Sequence, residues 1–182
     1  MAKGGNFELK IAKILSLWFS NGDRDDLVCR TDSSGGRATI RTAKNKKSSK
    51  YWYGDLKNSD DVAKPMFDEW SIECKTGYSK KNKKSITKWD ILDLIDSTKK
   101  VTIFEEMWEQ CKRDAELSER QPILIFGRSL RSPCIVMNFD YFKGKTALGI
   151  RYLTASFNNE VIIIFKLSCF LKKFSKNELF KS

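Results

Sequence analysis

Glu69-Trp70-Ser71-Ile72-Glu73-Cys74-Lys75-Thr76 alternates apolar and charged side chains in its second half, the period of a strand with two unlike faces. Ile72 and Cys74 fall on one face, and Glu73 and Lys75 on the other. A second strand is expected over residues 51–57, Tyr-Trp-Tyr-Gly-Asp-Leu-Lys, and seventeen residues separate its Asp55 from Glu73. If the two strands are neighbours, Asp55 brings a second carboxylate beside Glu73. Two such groups repel each other unless a cation lies between them. An all-oxygen donor set suits Mg²⁺, with Mn²⁺ able to substitute, and a lysine beside that ion can orient water or stabilise charge growing on a phosphate.

Working outward, residues 6–20 read as a helix, with Phe7, Ile11, Ile14, Leu15 and Trp18 at helical spacing and Asn6 as its cap. Residues 26–31 are a short strand candidate, followed by the Ser/Gly loop 32–37. The stretch containing Asp60, Asp61 and Pro65 reads as a loop, with Asp60, Asp61 and Asp90 solvent-facing or capping. Helical patterns follow at 88–99, through Trp89, Leu92 and Ile95, and at 103–118. Residues 122–127 are expected as a buried strand and 133–138 as its neighbour. Residues 149–157 and 160–167 suggest a hairpin turning at Asn158-Asn159. The tail from Cys169 reads as a basic amphipathic helix or a frayed end. The expectation is a single mixed α/β domain over 1–182, with a core about 3–138 and a C-terminal extension about 139–182.

The chain contains no histidine, which removes Ser-His-Asp and Cys-His nucleophile systems and histidine-based metal motifs together. Its five cysteines are widely spaced and form no C-x-x-C pair, so buried reduced thiols are expected rather than disulfides or zinc. No apolar run is long enough to span a bilayer and the N-terminus lacks a signal-peptide core, so the expected setting is cytoplasmic.

The net charge of +11 is concentrated. Residues 37–50 and 75–88 each hold six basic side chains and no acid, while the remainder of the chain is nearly balanced. Either run alone reads as a solvated lysine loop. Flanking one carboxylate cluster, the two together read as a footprint for nucleic acid. Candidate DNA contacts are Arg30, Ser33, Ser34, Arg37, Arg41, Lys44, Lys46, Lys47, Thr76, Lys80, Lys81, Lys83 and Lys84. For Tyr51, Trp52 and Tyr53, packing in the core is favoured over stacking on a base.

The pattern Gly54-Asp55…Ile72-Glu73-Cys74-Lys75 resembles the PD-(D/E)xK nuclease superfamily, with glycine in place of the usual proline. Gly5-Asn6-Phe7-Glu8, Arg30 and Ser33-Ser34-Gly35-Gly36 extend the resemblance to the small Holliday-junction resolvase branch over roughly residues 3–80. No glutamine–tyrosine pair is seen on the helix after the motif, so the RecB-type exonuclease branch is less favoured. The resemblance implies a mixed central sheet of the restriction-endonuclease-like type (an α-β-β-β-α-β core) with extra C-terminal β structure. It also implies metal binding by Asp55, Glu73 and the Cys74 carbonyl, with Glu8 acting directly or through water and Lys75 as the catalytic lysine. The expected activity is cutting of branched DNA by a homodimer. The rival readings are a restriction-type or repair endonuclease on the same core, and a basic nucleic-acid-binding module without chemistry.

Overall fold

The computed structural model describes residues 3–31, 53–76, 80–82, 85–87, 91–128, 130–143 and 149–180. The first helix, α1, spans Lys3–Phe19 and buries Ile11, Ala12, Leu15 and Phe19. It begins earlier than expected, and Asn6 is an exposed residue inside it rather than its cap. The Arg30 guanidinium lies so close to Gly5 that an added Cβ there would sit 3.1 Å from Nη1, so glycine, though a poor helix former, leaves room for the arginine in this first turn.

Strands β1 (Val28–Arg30) and β2 (Leu56–Asn58) pair antiparallel. Strand β2 begins one residue after Asp55, so the expected strand over 51–57 is mostly not observed. Tyr53–Asp55 instead form a bend, and Gly54 takes φ +84°. Residues 51 and 52 lie outside the described part. The supposed loop before β3 is ordered as a 3₁₀ turn, Asp61–Ala63, followed by α2, Lys64–Glu69. Asp60 Oδ1 accepts from the Val62 N–H, and Pro65 stands in the first turn of α2, where its missing N–H costs nothing.

Strand β3 (Trp70–Thr76) is followed by a small hairpin, β4 (Lys80–Asn82) with β5 (Ser85–Thr87). Of the helix expected over 88–99, residues 88–90 lie outside the described part, and within 91–99 the helix is α3, Asp93–Asp96. Leu92 and Ile95 are exposed, so these two residues lack the packing that would sustain a longer helix. Helix α4, Ile103–Leu117, matches expectation and starts with a reciprocal Thr102–Glu105 capping box.

The remaining elements are β6 (Gln121–Gly127), β7 (Cys134–Asn138), α5 (Phe139–Phe142), β8 (Tyr152–Phe157), β9 (Glu160–Lys166), α6 (Leu167–Lys173) and α7 (Lys176–Leu179). A five-stranded mixed sheet runs β3-β6-β7-β9-β8, with β3 and β6 parallel and the other neighbours antiparallel. The β8–β9 hairpin turns at Asn158 and Asn159, at φ 50° and 60°, as a two-residue turn with both residues left-handed requires. One apolar core lies between this sheet, α1 and the C-terminal helices, and a second lies beneath α4 on the opposite face.

The tail is neither frayed nor merely amphipathic. Phe170, Phe174, Leu179 and Phe180 are buried in the first core. Trp18 Nε1 donates to the Phe174 carbonyl at 3.1 Å, and Lys176 Nζ donates to the Phe19 carbonyl at 2.8 Å. Among the described residues the cysteines are free thiols, and no helix is long and apolar enough to cross a membrane.

Candidate active site

Strand β3 is covered on both faces, and its alternation sends Ile72 and Cys74 into the first core. Glu73 and Lys75 project the other way, toward α4, and remain 3% and 8% exposed. Lys75 Nζ donates to Glu73 Oε1, and Gln110 Nε2 on α4 donates to the same oxygen at 2.9 Å.

The second carboxylate arrives along the open edge of β3. Asp55 N–H donates to the Ile72 carbonyl at 2.8 Å, and the Thr31 N–H donates to the Asp55 carbonyl at 2.9 Å. Asp55 thus joins the β1–β2 pair to β3. Its Oδ2 accepts from the Cys74 N–H at 2.9 Å. A strand residue's N–H and C=O point to the same edge, so the Cys74 carbonyl shares that edge with Asp55. Gly54 makes the approach possible, because a Cβ there would stand 2.8 Å from the Ile72 oxygen.

Arg120, at the foot of β6, fixes the spacing of the two halves. Its buried guanidinium donates to the carbonyls of Tyr53 (2.8 Å), Trp70 (3.0 Å) and Phe67 (3.2 Å). Tyr53 itself is buried, in keeping with the core-packing expectation.

Burial dominates the electrostatics. It pushes the Asp55 carboxyl up to about 6, against the pull of the Cys74 N–H and Lys75, with Glu8 and Asp114 adding repulsion. Burial and the nearby Asp55 raise Glu73 to about 8 despite Lys75. Asp114, one turn beyond Gln110 on α4, is also raised by its partial burial. The Cys74 and Cys111 thiols are raised well above their ordinary value by burial, which makes them poor nucleophiles.

Glu8 is buried on α1, and its Oε2 accepts from Arg30 Nε at 2.5 Å. It influences Asp55 through its charge. Among the described residues, no group of three or more His, Cys, Asp or Glu side chains is arranged to hold a metal. Among the described residues, the groups here that could hold a hard dication are the Asp55 and Glu73 carboxylates and the Cys74 carbonyl, with water completing the shell. Mg²⁺ is commonly bound in this way. One oxygen of each carboxylate, Asp55 Oδ2 and Glu73 Oε1, takes the protein hydrogen bonds given above, and the other oxygen takes none of them.

A family model described as "Phage putative PDDEXK endonuclease" matches residues 1–181. The chain belongs to this PDDEXK endonuclease family. No curated protein and no solved structure matches it. Membership of a PDDEXK family agrees with the superfamily that the Gly54-Asp55 and Ile72–Lys75 pattern resembles, and the match extends well beyond residues 3–80.

Of the expected DNA contacts in this PDDEXK protein, Arg30 is half-buried against Glu8, and Thr76 lies at the end of β3 beside Gly127. Lys80 and Lys81 lie on β4. Ser33, Ser34, Arg37, Arg41, Lys44, Lys46, Lys47, Lys83 and Lys84 lie outside the described residues. The sequence reading missed Gln110 and Arg120. A cavity of about 510 Å³ beside Glu69, Glu119 and Arg120 is lined by none of Asp55, Glu73, Lys75 or Glu8.

Proposed function

We propose that the protein is a divalent-metal-dependent DNA endonuclease that hydrolyses phosphodiester bonds in branched DNA, acting as a homodimer. The observation that carries the reading is the pair of buried carboxylates, each tethered through one oxygen, with Lys75 in contact with Glu73. Burial and the nearby Asp55 both raise the Glu73 carboxyl, and two desolvated acids that repel each other are poorly accommodated without a cation.

In this reading Asp55, Glu73 and the Cys74 carbonyl hold Mg²⁺, with Mn²⁺ as a substitute. When bound, the ion polarises the phosphate and lowers the pKa of a bound water. Lys75 donates a hydrogen bond toward the attacking water or the phosphate oxygen and offsets negative charge as it develops there. Glu8 holds the Arg30 fork by its Nε side, so the terminal nitrogens can meet a backbone phosphate; Glu8 would act on the ion directly or through water. The basic residues of 37–47 and 80–84, with Thr76, supply salt-dependent affinity for the DNA backbone.

The preference for branched DNA is supported by Glu8 and Arg30. These are the residues on α1 and β1 that carry the resolvase resemblance, and they are direct partners. A two-fold dimer would present two such sites to a pseudo-symmetric junction.

The test is cleavage of labelled four-way junction, linear duplex and single strand with Mg²⁺, beside a Lys75→Ala control. Paired cuts in the junction alone, lost in the variant, support the full reading. Equal cutting of all substrates leaves a general or restriction-type endonuclease. Binding without cleavage under Mg²⁺ or Mn²⁺ leaves the non-catalytic module.

A further inference from the structure

We infer that Gln110 is a positioning residue for the Glu73 carboxylate, fixing which oxygen that group offers to a cation; the inference rests on the metal-site reading above. Gln110 Nε2 reaches Glu73 Oε1 at 2.9 Å from a different secondary element, α4, whereas Lys75 reaches the same oxygen from β3 itself. Both donors therefore load one oxygen and leave Oε2 as the ligand atom. The terminal torsion of glutamate is broad and roughly two-fold, so an untethered carboxylate would exchange its oxygens and change its plane. A donor fixed from across the site removes that freedom before any ion arrives.

The chemistry of the amide suits this task. It donates without carrying charge, so it orients Glu73 while leaving the carboxylate's charge available to a dication. Lys75 cannot fill the same role, because its ammonium is a mobile point charge on a flexible stem. The platform is rigid as well. Helix α4 is capped at Thr102 and buries Phe104, Met107, Trp108 and Cys111, the last adjacent in sequence to Gln110. Supports of this kind behind a metal-binding group typically change metal affinity or activity by about 10- to 100-fold when removed.

The experiment titrates the metal-free full chain with Mn²⁺ by calorimetry, comparing wild type, Gln110→Met, Gln110→Ala and Glu73→Gln. The methionine keeps the length and apolar stem while removing the donor, and the alanine variant provides a second test should the methionine variant pack poorly. The expected result is a Kd for Mn²⁺ about 10- to 100-fold weaker in both Gln110 variants, with the metal-free Tm close to wild type. Cleavage should show a lowered kcat at saturating metal and an unchanged KM for DNA. Wild-type Mn²⁺ affinity in the Gln110 variants, with binding lost in Glu73→Gln, overturns the inference and leaves the metal-site reading intact. Wild-type Mn²⁺ affinity in Glu73→Gln overturns the metal-site reading and this inference with it.

Discussion

The Cys74 N–H donates to Asp55 Oδ2 at 2.9 Å, so the aspartate side chain caps the open edge of β3 at the point where a further strand would otherwise pair. Asp55 is therefore both a candidate ligand and part of the sheet's hydrogen bonding. Its substitutions should separate the two roles. Asp55→Asn keeps an acceptor for Cys74 and should fold near-normally while losing Mn²⁺ binding and cleavage. Asp55→Ala leaves a buried N–H without its acceptor and should cost about 1–3 kcal/mol in denaturant unfolding as well.

Stability of the metal-free chain should depend on pH with an unusual sign. Asp55 and Glu73 are both raised by burial, from ordinary values of 3.8 and 4.5 to about 6 and about 8. Below pH 4 they are largely protonated in both folded and unfolded chains, and little penalty exists. Above that the unfolded chain ionises first, so stability falls with rising pH, by about 1.4 kcal/mol per pH unit for each group still holding its native proton. The decline attributable to Asp55 ends near pH 6 and that to Glu73 near pH 8. Tm measured in chelator between pH 5 and pH 8.5 should fall from these two groups, and added Mn²⁺ should recover more at the upper end. A Tm that rises across this range in chelator, in a Glu73→Gln-sensitive manner, would contradict the assignment.

Gly54 stands where the superfamily pattern has proline, and restoring the proline should be harmful. Proline requires φ near −65°, whereas Gly54 has φ +84° with the Ile72 carbonyl at 2.8 Å from a built Cβ. Both Gly54→Pro and Gly54→Ala should destabilise by about 2 kcal/mol or more, read as a drop in the urea midpoint.

Gly5→Ala should move stability and activity in opposite directions. Alanine improves helix propensity in α1 by up to about 1 kcal/mol. Its Cβ would lie 3.1 Å from Arg30 Nη1 and must displace the guanidinium that pairs with Glu8. The expected outcome is an equal or higher Tm with weaker DNA binding and a salt dependence shallower by about one phosphate contact.

The face of β3 was legible because strand alternation is a strict period of two, and a Glu-x-Lys on such a strand projects to one side whatever surrounds it. Helix α4 was equally legible from its apolar spacing. Pro65 misled because a proline reads as a breaker unless the start of a helix is already placed on it. The hydrogen bond from Asp55 to Cys74 has no sequence signature, since it depends on a bend at Gly54 rather than on regular pairing. Gln110 and Arg120 were hidden for a related reason. A single polar residue on an amphipathic helix, or an arginine at the foot of a strand, acquires meaning only from residues tens of positions away. Glu8 was legible as an acid beside the apolar stripe of α1 but not as Arg30's partner, because nothing in its own helical turn specifies which strand lies opposite.

The clasp between α1 and the C-terminal helices ties two distant stretches of the chain together, and it implies an order of assembly. Trp18 and Phe19 on α1 are held by Phe174, Lys176 and Phe180, all of which emerge from the ribosome after every residue of the candidate site. The outer end of α1 is therefore without these partners until residues 167–180 have followed. Protection of Trp18 and Phe19 from protease in nascent chains is therefore expected only once residues 167–180 have emerged, whatever the state of β3.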